Sequence, residues 1–173
     1  MRPARDEVYL EQWREWKYTL HRQSICYRLD IETDAFDPSH VIGGYARPFS
    51  GPQMWVSDLV ARDDPWVELN WKDPVTFNEV ALIFDDDVQE DLINLRAFRT
   101  PYEVLATLVR DYKIEAEIEG GWTLASERDH RRRHRVHQLR RTVTSNRLRI
   151  VMTSTNGAPR AHLIATRVYR EPR

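Results

Sequence analysis

The sequence predicts an all-β fold, an antiparallel sandwich preceded by one amphipathic helix, and three observations carry that reading. The stretches VRDYKIEAEIEGGWTLASE (109–127) and NRLRIVMTSTNGAPRAHLIATRVY (146–169) alternate apolar and polar residues, the period of a strand with one face buried. Turn signals such as Gly120-Gly121 and Asn156-Gly157 separate about eight such runs, at the spacing of a sandwich. Helical periodicity holds convincingly only near the N-terminus.

The chain has 173 residues, 41% hydrophobic and 31% charged. That size suits a single domain that buries roughly 70% of its unfolded surface without covalent staples. The organisation expected is a helical extension over residues 1–25 and a β-sandwich domain over 26–173. Cys26 is the sole cysteine, which excludes an internal disulfide and a cysteine-based zinc cluster and fits a reducing compartment. No apolar run approaches the length of a membrane span. The start, MRPARDEVYLEQW, lacks the apolar core of a secretory signal. Together these point to the cytoplasm, with no membrane partner.

In residues 6–22, Tyr9, Trp13, Trp16 and Leu20 fall at i, i+4, i+7 and i+11, one continuous apolar stripe of a helix. The stripe either packs on its own domain or anchors a partner subunit, since tryptophan is frequent at interface hot spots. A short strand is expected near Tyr27–Glu32. Residues 33–53, rich in Pro, Gly, Asp and Ser, read as connected turns. Trp66–Trp71 and Val75–Phe84 read as two strands joined by a turn at Asp73-Pro74, with Trp66 and Trp71 in the core. Residues 88–108 are an irregular loop that Pro101 keeps from being one helix, and a loop of that length is usually functional or covers another surface. Strands follow over 112–118, Trp122–Glu127, Arg133–Leu139, Arg147–Thr153 and Ala161–Tyr169.

Charge is strongly segregated. Eleven acids against Arg62 and Lys72 lie between Asp58 and Asp91, and nine arginines with three histidines between Arg128 and Arg149. Such blocks steer charged partners or neutralise each other across one sandwich. Nucleic-acid binding is not expected, because the pI is 6.6 and alternation splits Arg128–Arg141 between two faces. His134 and His137 are separated by an odd offset and point to opposite faces of a strand, so no common metal is expected. Asp85-Asp86-Asp87 lacks the glycine and spacing of a calcium loop and reads as a solvated turn. No nucleophile elbow, cysteine–histidine pair or carboxylate pair makes a case for catalysis by this chain in isolation.

The best ligand candidates are aromatic side chains of the loops, where a sandwich displays its binding surface. Tyr45, Phe49 and Trp55 can stack on the apolar face of a sugar, while Arg47, Asp58 and Asn156 can hydrogen-bond its hydroxyls. Trp55 reads equally well as core.

In order along the chain, Gly44 with Arg47-Pro48, Trp55-Val56-Ser57-Asp58, WVELNWKDPVTFNEVALIF (66–84), Phe84-Asp85, Arg110-Asp111-Tyr112, Arg131-Arg132-Arg133 with His137, and Thr155-Asn156-Gly157 before Arg167-Val168-Tyr169 resemble the galactose-binding-domain-like sandwich of the discoidin and coagulation-factor C-type superfamily. Over residues 27–169 the chain is most similar to the C-terminal module of bacterial FAD-dependent oxidoreductases. The resemblance implies a jelly-roll sandwich and an accessory role beside a larger catalytic subunit or domain, which would carry the FAD. The dinucleotide-binding half is missing, for no GxGxxG follows a strand. In many relatives the early loop helps hold a structural calcium ion. Here it reads Val41-Ile42-Gly43-Gly44, without the acid common before the first glycine, and Ala165 stands where relatives have an acid.

Three functions follow as expectations. The first is a non-catalytic module of a larger enzyme, a flavin-dependent one acting on sugars or polyols. The second is a free-standing carbohydrate-binding module, which should show a concave aromatic pocket at one end of the sandwich. The third is an interaction protein that self-associates through its helix.

Overall fold

In the computed structural model of the protein, residues 7–8, 27–28, 35–47, 53–86, 104–118 and 121–170 are described. They hold β1 (Glu7–Val8), β2 (Tyr27–Arg28), β3 (Trp55–Leu59), β4 (Trp66–Phe84), β5 (Val109–Ile118), β6 (Gly121–Glu127), β7 (His134–Thr155) and β8 (Arg160–Tyr169), with a 3₁₀ turn at Pro38–Ile42. β1 and β2 pair with each other. The other six strands form one antiparallel network in the order β3-β8-β4-β7-β5-β6.

Two long strands fold that network into layers. β4 and β7 pair in three blocks: Trp66–Asn70 with Arg147–Val151, Val75–Phe77 with Val143–Ser145, and Glu79–Ile83 with His134–Gln138. Between the first two blocks Trp71–Pro74 bulge out of β4 opposite Asn146; between the last two, Leu139–Thr142 bulge out of β7 opposite Asn78. The bulges compensate each other and bend both strands, as extra residues on one side of a ladder do. Beyond the bend, β4 takes β8 as its second neighbour, while the far half of β7 takes β5. The two arms then face each other: Phe84 of β4 meets Tyr112 of β5 at 5.1 Å between ring centroids, and Tyr112 meets His137 of β7 at 5.6 Å.

Between the layers lies the main core, with Phe77, Leu82, Phe84, Tyr112, Ile150 and Leu163 among its buried residues. A smaller cluster joins Phe36 and Met54 to Val56, Ile83 and Ile164. It covers the other side of the first layer.

The sandwich expected from alternation is therefore present, with two corrections. Trp66–Trp71 and Val75–Phe84 are one strand, not a hairpin, and Arg133–Leu139 with Arg147–Thr153 likewise join into β7. The reason is the same in both: a bulge interrupts the alternation as a turn would. Pro74, which has no N–H to give to a ladder, is tolerated in mid-strand because it sits in the bulge. At the N-terminal side, Glu7–Val8, which falls inside the helix expected over residues 6–22, is instead strand paired with Tyr27–Arg28. The stripe itself (Tyr9, Trp13, Trp16 and Leu20) lies outside the described residues, as do residues 88–103 of the long loop. Among the described residues no helix is long and apolar enough to cross a membrane.

Candidate functional site

Chain connections converge at one end of the sandwich. The Asn156 and Ala158 amides donate to the Leu108 and Ala106 carbonyls at 2.9 and 3.0 Å, the Val60 amide to Pro159 at 3.0 Å, and the His130 amide to Arg110 at 2.8 Å. Asn156 completes this clamp, its side-chain nitrogen donating to the Leu108 and His130 carbonyls at 3.0 Å each.

At this end β3 is distorted between Val56 and Leu59. Buried Ser57 organises the distortion: its hydroxyl accepts from the Ala161 amide at 2.9 Å and donates to the Asp58 carbonyl at 2.6 Å. Arg160 donates to the Ser57 carbonyl at 2.8 Å and stands 3.7 Å from the Asp58 carboxylate. Asp58 is thereby turned outward, its side chain 81% exposed. The chain then turns through residues 60–65, where the Arg62 amide bonds the Leu59 carbonyl and the Met152 amide bonds Pro65. β4 begins there with Trp66.

Between β3, this turn and the 3₁₀ turn lies a cleft of about 440 Å³. Trp55, Leu59, Pro38 and Pro65 give it an apolar lining, Trp66 an aromatic one, and Asp58, Arg62, Asp63 and Asp64 a charged one. Trp55 is only 5% exposed and offers little more than an edge, whereas Trp66 is 51% exposed. The Arg149 guanidinium sits over the Trp66 ring, 4.4 Å from its centroid. Arg149 is itself held by Glu68, with Nε and Nη2 at 3.1 and 2.9 Å from Oε2, while Arg147 Nη2 reaches Oε1 at 3.1 Å. Burial raises the Glu68 carboxyl, but hydrogen bonds from Asn70, Arg149 and Arg147 outweigh that and hold it below the usual carboxylate range. Acidic and basic segments of the chain meet in this pairing.

The six residues expected to bind a ligand are separated by the structure. Trp55 and Asp58 line the cleft. Tyr45 is exposed elsewhere, and Arg47 pairs with Asp86 at 3.1 Å. Asn156 serves the loop clamp, and Phe49 lies outside the described residues. Trp66, expected in the core, is a surface residue, and its phase shows why: Val67, Leu69 and Trp71 alternate inward, which sends Trp66, Glu68 and Asn70 outward. Arg62, Asp63 and Asp64 carried no signal beyond charge.

Other polar groups at this end are buried. Tyr112 Oη and His137 Nε2 are 2.8 Å apart, and His130 Nε2 is 2.5 Å from the Arg132 carbonyl. Desolvation lowers the pKa of both histidines and pushes the Tyr112 phenol up. His134 is exposed, on the face opposite His137. Asp85 and His162, 2.8 Å apart, are likewise buried. Among the described residues no group of three or more His, Cys, Asp or Glu is placed to hold a metal ion. The early loop does not fit a calcium ion either, for the Gly44 carbonyl accepts from the cationic Arg167 guanidinium at 2.8 Å.

No protein-family model matches the chain, nor does any curated protein sequence. Solved structures do share its fold. The family 32 carbohydrate-binding module of Streptococcus pneumoniae EndoD matches with a TM-score of 0.61 and 15% identity, over 83% of this chain and 91% of that one. Chitosan-binding module 1 from a chitosanase/glucanase of Paenibacillus sp. IK-5 matches with a TM-score of 0.56 and 19% identity, over 80% and 89%. The family 32 module of C. perfringens NanJ, in complex with galactose, matches with a TM-score of 0.56 and 14% identity, over 80% and 88%. At these identities the likeness shows the fold alone, an antiparallel β-sandwich shared with these modules.

Proposed function

We propose that this chain is a carbohydrate-binding module and that the cleft beside Trp66 is its sugar site. One observation carries the reading: a half-exposed tryptophan shares a cleft with outward-facing carboxylates and a guanidinium, at the loop end of a sandwich. The apolar face of a pyranose packs on an indole, and its hydroxyls need hydrogen-bonding groups around that ring. Asp58 accepts from hydroxyls, Arg62 donates, and Asp63 and Asp64 add negative charge at the rim. Three acids against one arginine make the lining net negative, so neutral and amino sugars are favoured over uronic acids. Among the neighbouring modules, that of NanJ is in complex with galactose and that of Paenibacillus is named chitosan-binding, whereas that of AlyQ is in complex with an unsaturated mannuronic acid, so the preference rests on the charge of this lining alone.

Such a module works by holding a catalytic domain near its glycan, so the partner is a larger enzyme. A glycan-degrading enzyme is the better-supported partner, since the Paenibacillus module derives from a chitosanase/glucanase. A flavin-dependent oxidoreductase of sugars is the weaker alternative, because none of the neighbours named above comes from one.

The test is calorimetric titration with galactose, chitotriose and galacturonate, in the protein and in Trp66→Ala. Binding of galactose or chitotriose that falls at least tenfold in Trp66→Ala, with thermal stability unchanged, is the expected result. Binding that survives Trp66→Ala would move the site away from the cleft.

A further inference from the structure

We infer that Arg149 is a positioning residue for sugar binding: clamped by Glu68, its guanidinium fixes the Trp66 ring as a preformed platform at the cleft. The inference rests on the carbohydrate-binding reading above and adds residues that do not line the cleft.

Trp66 is the first residue of β4 and is about half exposed. A surface indole at a strand end has free rotation about two side-chain bonds, and a ligand that stacks on it must first stop that motion. Ordering a side chain at binding costs affinity, roughly two- to tenfold per residue immobilised. Arg149 removes part of that cost beforehand. Its guanidinium lies 4.4 Å from the ring centroid, where a cation is attracted to the π-face. Strand register accounts for its reach, because Glu68 pairs directly with Arg149 across β4 and β7, and Trp66 sits two residues earlier on the same outward face.

The guanidinium is fixed in turn. Both Nε and Nη2 of Arg149 donate to Glu68 Oε2, Arg147 Nη2 donates to Oε1 and more distantly to Oε2, and the Glu68 side chain is only 9% exposed. Arg147 also reaches Glu117 of β5 at 3.4 Å. The ring is therefore tied through two side chains to the rigid middle of the second layer, leaving its uncovered surface for a ligand. A planar, doubly bonded group is required; lysine supplies charge without plane or fork.

The chain contains six tryptophans, so Trp66 is observed by difference, subtracting the emission of the matching Trp66→Phe protein. Acrylamide quenching of that difference signal is measured with Arg149 present, in Arg149→Met and in Arg149→Lys, alongside titrations with chitotriose and galactose. Both substitutions should make Trp66 easier to quench and weaken binding roughly two- to tenfold, with melting temperatures close to that of the parent. Glu68→Gln should do the same more weakly, and Glu68→Gln/Arg149→Met should bind no worse than Arg149→Met alone, because the two act in series. Unchanged quenching overturns the inference. So does changed quenching with unchanged affinity, since the ring would then need no brace. If the parent protein binds neither sugar, the carbohydrate reading fails for these ligands, and quenching alone decides whether Arg149 holds the ring.

Discussion

Two groups of aromatic and polar residues lie at the same end of this sandwich, and burial gives them opposite uses. In the cleft, Trp66 and the carboxylates of Asp58, Asp63 and Asp64 face water. Between the layers, Phe84, Tyr112, His130 and His137 form a cluster of tilted and edge-on rings with spacings of 5.1–5.6 Å. A polar group in the first setting is open to a ligand; in the second, burial favours the neutral form of Tyr112, His130 and His137 and their partners are other core groups. The residue types overlap, so composition alone does not separate a binding site from a core.

The sharpest way to break this contrast is to strike the buried cluster. Phe84→Ala empties a fully buried position that contacts both Tyr112 and His130. It should cost about 3–5 kcal/mol of stability, read from the midpoint of chemical denaturation, while the surviving folded protein keeps its sugar affinity. An equal fall in affinity would mean that the cleft depends on the core beneath it. Tyr112→Phe is milder. It leaves the shape intact but strands His137 Nε2, now bonded at 2.8 Å, and an unsatisfied buried nitrogen costs about 1–3 kcal/mol.

Acid should separate the two regions without mutation. His130 and His137 both have pKa values below the ordinary 6.5, first because burial disfavours the cation, with nearby Arg135 adding to it and Glu127 opposing it. The unfolded chain therefore takes up protons on these histidines more readily than the folded one. Their contribution to stability is complete above pH 6.5 and is lost as pH falls from there through the depressed folded-state values. Denaturation midpoints measured from pH 7.5 down to pH 5 should decline, and less steeply in His137→Gln. A profile flat over that range would show that the histidines take up protons equally in the folded and unfolded states.

How much of this was legible in the sequence depends on what the signal was made of. Alternation is a local consequence of the pleat, so β5 and β8 could be read almost to their ends. The bends of β4 and β7 could not, because Trp71–Pro74 and Leu139–Thr142 imitate turns until the register across the ladder is known. The cleft was half legible. Trp55 stood out as an aromatic expected in a loop and Asp58 as an acid near it, although both lie on β3, and the phase of WVELNW contained the outward placement of Trp66. What puts Trp66 beside Asp58 is the turn of residues 60–65, anchored to Pro159 and Met152 by backbone hydrogen bonds. No side-chain pattern encodes those contacts. Asn156 shows the reverse: an asparagine in a rim turn suits a sugar hydroxyl, and here its side-chain nitrogen donates to two carbonyls of its own chain.

The smallest expected effect tests whether the exposed charges choose among sugars. Asp63 and Asp64 are exposed side chains of the cleft lining, so water and salt screen them, and each should change the binding of a charged ligand by only roughly twofold. Asp63→Asn and Asp64→Asn should each lower the ratio of chitotriose to galactose affinity by about that factor at low salt, with galactose itself unaffected. The difference should shrink as ionic strength rises past about 0.15 M, where screening reaches about 8 Å. A galactose affinity that falls in step with chitotriose would mean that these carboxylates accept hydroxyl hydrogen bonds directly, and the preference for amino sugars would then lie with Asp58, which Arg160 at 3.7 Å already partly neutralises.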